Sequence, residues 1–169
     1  MKINNKTRIY IDGANLYSGS KFLDWGFDYK SFYIWLYENF KTDKIYLFLG
    51  WVEENKDLYD FLEKIGYKII FKKTLKSKGQ IKGNCDAELV LKATEDIIRK
   101  DFDDFVLVSS DGDFACLLEF AKNEKKNIKV ISPSKKLSYL IRRLFCEVTY
   151  LGSLEKKLKG KKKRPLSGN

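Results

Sequence analysis

Arg8-Ile9-Tyr10-Ile11-Asp12-Gly13-Ala14-Asn15 is an apolar, β-branched run that stops at an acid, turns on glycine and opens a helical stretch. The pattern returns further along the chain, where Phe105-Val106-Leu107-Val108-Ser109 runs into Ser110-Asp111-Gly112-Asp113. Apolar runs at residues 44–51, 68–71 and 127–132 bring the predicted strands to five, and residues 147–150 suit a short last strand. Between them the apolar residues recur at helical spacing. Asp28 is placed to cap a helix carrying Phe32, Leu36 and Phe40, residues 55–65 form a helix closed by Gly66, and another helix starts near Asp86. Residues 113–122 and 137–145 also read as helices. Strands separated by helices of about 10–15 residues call for βαβ units and a parallel sheet with helices on both faces. With right-handed crossovers, the expected order is 3-2-1-4-5. In such a sheet ligands bind beyond the carboxyl ends of the strands where the winding reverses, here between strands one and four. Asp12 ends the first of these and Asp111 follows the fourth.

The 169 residues suit one domain, expected over 1–152, followed by a basic, disordered tail over 153–169. At that size roughly 70% of the chain's surface is buried on folding, so disulfide or metal staples are not needed for stability. Cys85, Cys116 and Cys146 are odd in number and far apart, which argues against a disulfide framework or zinc site and for a reducing compartment. With no long apolar run and no signal-peptide pattern, the expectation is a cytoplasmic protein with no membrane partner. Histidine is absent, which excludes Ser-His-Asp and Cys-His catalysis and every His-ligated metal. Acid–base chemistry is left to carboxylates, lysine, tyrosine or metal-activated water. Of the net charge of +10, residues 155–164 carry +6, from seven basic residues and one acid. A nearly balanced body with a basic tail suits an anionic partner, although charge runs are often no more than solvated chain.

The carboxylates carry the functional reading. Taken singly each has a bland explanation: Asp12-Gly13 makes a turn, Asn15 caps a helix, and one of Asp111 and Asp113 caps the next. A single cap does not account for two aspartates flanking one glycine, because neighbouring carboxylates repel unless a cation or proton lies between them. Asp86 shares a helix face with Leu89, Val90, Ala93 and Ile97, at i+3, i+4, i+7 and i+11, and so points toward the core. Glu88, Lys92, Glu95 and Arg99 occupy the opposite face, as Glu88–Lys92 and Glu95–Arg99 pairs. An inward carboxylate needs a partner, since an unpaired buried charge is costly. Asp12, Asp86, Asp111 and Asp113 are therefore expected at one edge of the sheet, where hard divalent cations such as Mg2+ or Mn2+ find oxygen ligands.

Three ordered pieces, Ile11-Asp12-Gly13-Ala14-Asn15-Leu16, Lys82-Gly83-Asn84-Cys85-Asp86-Ala87-Glu88-Leu89 and Ser109-Ser110-Asp111-Gly112-Asp113-Phe114, resemble the NYN domain family of the PIN-like nuclease superfamily. The resemblance runs from about Arg8 to Leu151. It implies a three-layer PIN-like fold, a pocket binding magnesium or manganese, and hydrolysis of RNA phosphodiester bonds. Asp12, Asp86, Asp111 and Asp113 match the family's acidic positions, and Asn15 its asparagine after the first strand. One position departs: where many relatives carry a further acid about six residues past the helix-start aspartate, this chain has Lys92.

The expected activity is thus a metal-dependent endoribonuclease acting on single-stranded or structured RNA. Its catalytic set is Asp12, Asn15, Asp86, Asp111 and Asp113, and the four aspartates are the metal ligands. Lys73, Lys76, Lys78 and Lys82, in a polar loop after strand three, are expected to contact RNA phosphates. Tyr17, Phe22, Trp25 and Phe27 offer stacking surfaces, with burial in the core as the commoner fate of such rings. The alternative is a non-catalytic RNA-binding or regulatory module that keeps the acidic pocket. A phosphatase-type reaction at Asp111-Gly112-Asp113 is weaker, because the first strand lacks the D-x-D partner that chemistry needs. Assembly into a homo-oligomer stays open.

Overall fold

The computed structural model describes residues 6–72, 75–77, 80–82, 85–99 and 101–159. The chain begins with strand β1 (Thr7–Asp12), helix α1 (Gly13–Ser20) and helix α2 (Tyr29–Phe40). Strand β2 (Ile45–Gly50), helix α3 (Lys56–Ile65) and strand β3 (Lys68–Lys72) follow. A small antiparallel pair, β4 (Leu75–Ser77) and β5 (Gln80–Lys82), precedes helix α4 (Asp86–Arg99). Strand β6 (Asp104–Val108), a 3-10 turn at Gly112–Phe114 and helix α5 (Ala115–Asn123) come next. Strand β7 (Asn127–Ser132), helix α6 (Tyr139–Arg142), strand β8 (Glu147–Tyr150) and helix α7 (Glu155–Lys159) complete the described chain.

Six strands form one parallel sheet in the order β3-β2-β1-β6-β7-β8. This is the expected 3-2-1-4-5 order with the short last strand added at the edge. Side chains alternate between two cores, as the strand period requires. Ile9, Ile11, Ile45, Leu47, Val106 and Val108 face the layer of α1, α2, α3 and α7. Tyr10, Tyr46, Phe48, Phe105 and Leu107 face that of α4, α5 and α6. Burial on both faces explains why these strands read as nearly continuous apolar runs.

Local chemistry sets the element ends. The Asp28 carboxylate accepts from the Ser31 backbone N–H at 2.8 Å and starts α2. Gly66 closes α3 at φ +124°, a conformation that L side chains resist. Gly13 permits close passage of α1 over β2, since a Cβ there would stand 2.5 Å from the Phe48 carbonyl oxygen.

Several expectations are corrected. The lysine-rich loop contains the β4–β5 pair, whose three-residue strands with one apolar residue each are too short to register as a period. Helix α5 starts two residues late, because Asp111 accepts from the Asp113 N–H (3.0 Å) and tightens the first turn into a 3-10 turn. The helix expected over 137–145 is reduced to four residues. The Ser138 hydroxyl oxygen caps it by accepting from the Leu140 N–H (3.3 Å), and Phe145 adopts φ +51° to turn the chain into β8. Lys92 pairs with Asp96 (2.8 Å) rather than Glu88, which instead meets Lys72 at 4.0 Å. Finally, the basic tail does not begin at residue 153. Leu154 and Leu158 are buried against the α2 side of the sheet, so the apolar stripe hidden among the lysines extends the core through α7. Residues 160–169 lie outside the described residues. Leu158→Ala should lower unfolding free energy by about 2–3 kcal/mol, as for other large-to-small core changes. Urea denaturation checks this, and an unchanged midpoint would contradict the packing.

Among the described residues no helix is long and apolar enough to cross a membrane.

Candidate functional site

The winding reverses between β1 and β6, and there the strand ends deliver their acids. Asp12, at the end of β1, caps α1: its Oδ1 accepts from the Asn15 N–H at 3.1 Å. Its Oδ2 accepts from the Ser109 hydroxyl at 3.1 Å, and that hydroxyl oxygen accepts in turn from the Asp111 N–H at 3.1 Å. Ser109 is fully buried, so one hydroxyl fixes both strand ends. The cap role expected for Asn15 belongs to Asp12 instead. The Asn15 carbonyl oxygen accepts from both the N–H and the hydroxyl of Ser110, each at 3.0 Å, tying α1 to the β6 end. With that oxygen engaged, the amide NH2 of Asn15 is the end available to the cavity that the residue lines.

Asp86 opens α4 on the other layer, and one oxygen from each of Asp86, Asp111 and Asp113 lies within 4.8 Å of the others. Asp12, Asp86 and Asp111 line an open cavity of about 230 Å3 with Asn15 and Ser18. A larger cavity of about 470 Å3 lies between α5 and the start of β7, where three lysines offset its acids and no such oxygen cluster forms. Asp12 is nearly buried, Asp86 and Asp111 are half-buried, and Asp113 is exposed.

Burial and mutual repulsion shift two of these carboxyls in the same direction. Burial raises the Asp12 carboxyl pKa above 3.8, opposed by the hydrogen bonds from Asn15 and Ser109, while the Asp111 charge adds to the rise. Burial also raises Asp86, and the charges of Asp12, Asp111 and Asp113 push further, against the partial relief of Lys72. Oxygen ligands from three converging aspartates, with no histidine in the chain, fit a hard divalent cation.

These shifts have a signed consequence. A carboxyl whose folded pKa is raised contributes stability below its unfolded value, and that contribution is lost as pH rises through the folded pKa. At neutral pH without metal, Asp86→Asn should therefore raise the melting temperature. The gain should shrink as pH falls through the raised Asp86 pKa toward 3.8, and Mn2+ should stabilise wild type more than the variant. Thermal melts in EDTA and in manganese check both signs; a variant less stable than wild type in EDTA at pH 7 would contradict the charge assignment.

The structure thus places Asp12, Asn15, Asp86, Asp111 and Asp113, the expected catalytic set, at one end of the sheet. It does not do so for the expected lysines. Lys73 and Lys78 lie outside the described residues, whereas Lys76 and Lys82 are placed by backbone alone, on β4 and β5. Of the four aromatics, Trp25 is buried and Phe27 packs against the core, while Tyr17 and Phe22 are exposed. Ser109 and Ser110 were not singled out from the sequence as functional. Their signal is the pair of hydroxyls placed directly between an apolar strand and two aspartates.

A family model for the NYN domain matches residues 6–150. The chain is also similar to the crystal structure of a protein of unknown function from Vibrio parahaemolyticus, at 22% identity and a TM-score of 0.73, covering 89% of this chain and 96% of that one. That likeness concerns the fold. No curated protein matches the chain.

Proposed function

The chain belongs to the NYN domain family of PIN-like nucleases, and from that premise we propose that it is a metal-dependent ribonuclease hydrolysing RNA phosphodiester bonds. The observation that carries this reading is the convergence of Asp86, Asp111 and Asp113 oxygens within 4.8 Å, at the strand ends where Asp12 also points. In a cytoplasmic setting Mg2+ or Mn2+ is the ion proposed, held by Asp12, Asp86, Asp111 and Asp113. Such an ion supplies Lewis acidity toward a phosphoryl oxygen and acidifies water.

The chain's own residues do the positioning. Asp12 is fixed by two hydrogen bonds, so its carboxylate meets the site in one orientation. Asp113, the most exposed of the acids, orients the attacking water. Asn15 donates through its amide NH2 to a non-bridging phosphate oxygen, while Ser110 holds its other end. Lys73, Lys76, Lys78 and Lys82 bind phosphates flanking the scissile one.

Asn15→Asp tests the positioning role, because a carboxylate can still accept both Ser110 bonds but cannot donate to phosphate. Cleavage should fall about 10- to 100-fold, comparable to losing an orienting hydrogen bond at a metal site, while the added carboxylate lowers metal-free stability. An unaltered rate would remove Asn15 from the mechanism.

A second reading is favoured by one feature. Lys92 stands where many relatives carry an acid, and it is engaged with Asp96 and lies 5.0 Å over the Tyr46 ring. A site with one acid fewer suits a module that binds RNA without cutting it. Incubating the protein with labelled RNAs and matching DNAs, in Mg2+, Mn2+ or EDTA, separates the two. RNA cleavage abolished by EDTA supports the nuclease, whereas retarded but intact RNA across the whole set would establish the binding module.

A further inference from the structure

Beside the acidic pocket stands a surface that the resemblance does not cover. Loop 133–138 leaves the carboxyl end of β7, the strand next to β6, and so emerges at the same sheet edge as Asp111. It is fixed in place: the Ser132 hydroxyl donates to the Ser134 carbonyl, the Ser134 hydroxyl oxygen accepts from the Lys136 N–H, and Leu137 is buried. The Ser138 N–H donates to the Ser110 carbonyl at 3.2 Å, and a side chain at Gly112 would collide with Ser138. Helix α6 therefore begins directly against the turn that carries Asp111 and Asp113.

From that start α6 presents Tyr139, with 64% of its surface exposed, and both the Arg142 and Arg143 guanidinium groups stand 5.8 Å from its ring centre. Lys135 and Lys136 are exposed on the loop before it. Among the described residues none of these four cations pairs with a carboxylate. An exposed ring bracketed by guanidinium groups that meet no carboxylate among the described residues, next in sequence to the Ser138 that contacts the acidic turn, has the parts of a single-strand platform. The ring offers a stacking face for any base, and the cations follow the phosphates.

We propose that Tyr139, Arg142 and Arg143, with Lys135 and Lys136, form the surface that holds single-stranded RNA as it enters the aspartate site, a base stacked on Tyr139 and flanking phosphates on the arginines. This inference rests on RNA being the substrate. It differs in location from the lysines of the β4–β5 segment, and it predicts a preference for unpaired over paired RNA, because a ring can stack only on an exposed base face.

The test is fluorescence anisotropy of a labelled single-stranded oligouridylate and a labelled hairpin RNA, in EDTA so that nothing is cut. Wild type should bind the single strand more tightly. Tyr139→Ala should weaken single-strand binding about 5- to 100-fold, with Tyr139→Phe near wild type. Arg142→Ala/Arg143→Ala should lower the slope of log affinity against log salt by about 1.4, the value for two phosphate contacts on a single strand. Lys56→Ala/Lys64→Ala, which removes two exposed charges from α3, should have little effect. If wild type binds RNA and the Tyr139 and arginine variants bind equally well, the platform is wrong while the RNA reading stands. If wild type binds no RNA, the proposed function fails and this inference with it. If Tyr139→Ala instead dissociates an oligomer in sedimentation velocity with RNA affinity unchanged, the patch belongs to a second copy of the chain, and the proposal is overturned.

Discussion

Asp86→Asn should reduce RNA cleavage by at least about 100-fold, the scale on which loss of one electrostatic group at a reacting centre is felt. Asparagine keeps the shape of the side chain at the start of α4 but removes the charge. Asp86 is contributed by the start of α4, a separate segment, while Asp111 and Asp113 come from one turn after β6. Removing its charge leaves two neighbouring carboxylates from a single segment, with Asp12 behind them. The same change relieves repulsion among acids that share the pocket, so activity and metal-free stability should move in opposite directions. A merely structural aspartate would not show that divergence. Single-turnover assays with labelled RNA, alongside thermal melts of the same preparations, read both.

Asp96→Ala should cost about 3–5 kcal/mol of folding free energy, the range for breaking a buried ion pair by removing one partner. Asp96 is fully buried in the middle of α4, where one oxygen accepts from the Tyr10 hydroxyl (3.0 Å) and the Arg8 guanidinium (3.4 Å). Its other oxygen meets the Lys92 ammonium group at 2.8 Å. Truncation would strand a largely buried arginine and leave the Tyr10 hydroxyl without that acceptor. Burial, together with the Asp96 charge, holds the Tyr10 phenol far above its ordinary pKa, so it remains a donor at any working pH. The network clamps α4, which begins at Asp86, to β1, which ends at Asp12. Asp96→Asn, which keeps an acceptor for Tyr10, should cost less than alanine. Urea denaturation of both variants tests this, and a loss under about 1 kcal/mol for alanine would show that the network carries little of the stability.

Much of this was legible in the sequence, and the reasons differ by element. The sheet order followed from apolar runs spaced by amphipathic segments, because parallel strands buried on both faces leave an unambiguous trace. The acidic site followed from its position: Asp12 and Asp111 sit at strand ends on either side of the winding reversal, and Asp86 falls on the apolar face of its helix. Asp96 was not legible. It lies on that same helix beside Ile97, and nothing local announces that Arg8 and Tyr10, from a strand 86 or more residues earlier, will close around it. Helix α7 was hidden by composition, since two leucines among lysines read as tail until the α2 groove that receives them is known. The Tyr139 surface was obscured by an over-long helix at 137–145, which concealed both the cap at Ser138 and its contact with the acidic turn.

An aspartate cluster that binds a divalent ion and through it cuts RNA has one decisive signature. Cleavage of a labelled single-stranded RNA, measured across a manganese titration for wild type and Asp86→Asn in parallel, tests it most directly. Wild type should cleave with saturable dependence on manganese and stop when EDTA is added, and the variant should be at least about 100-fold slower at every manganese concentration. Equal rates for the two proteins, or wild-type cleavage that persists in EDTA, would contradict it.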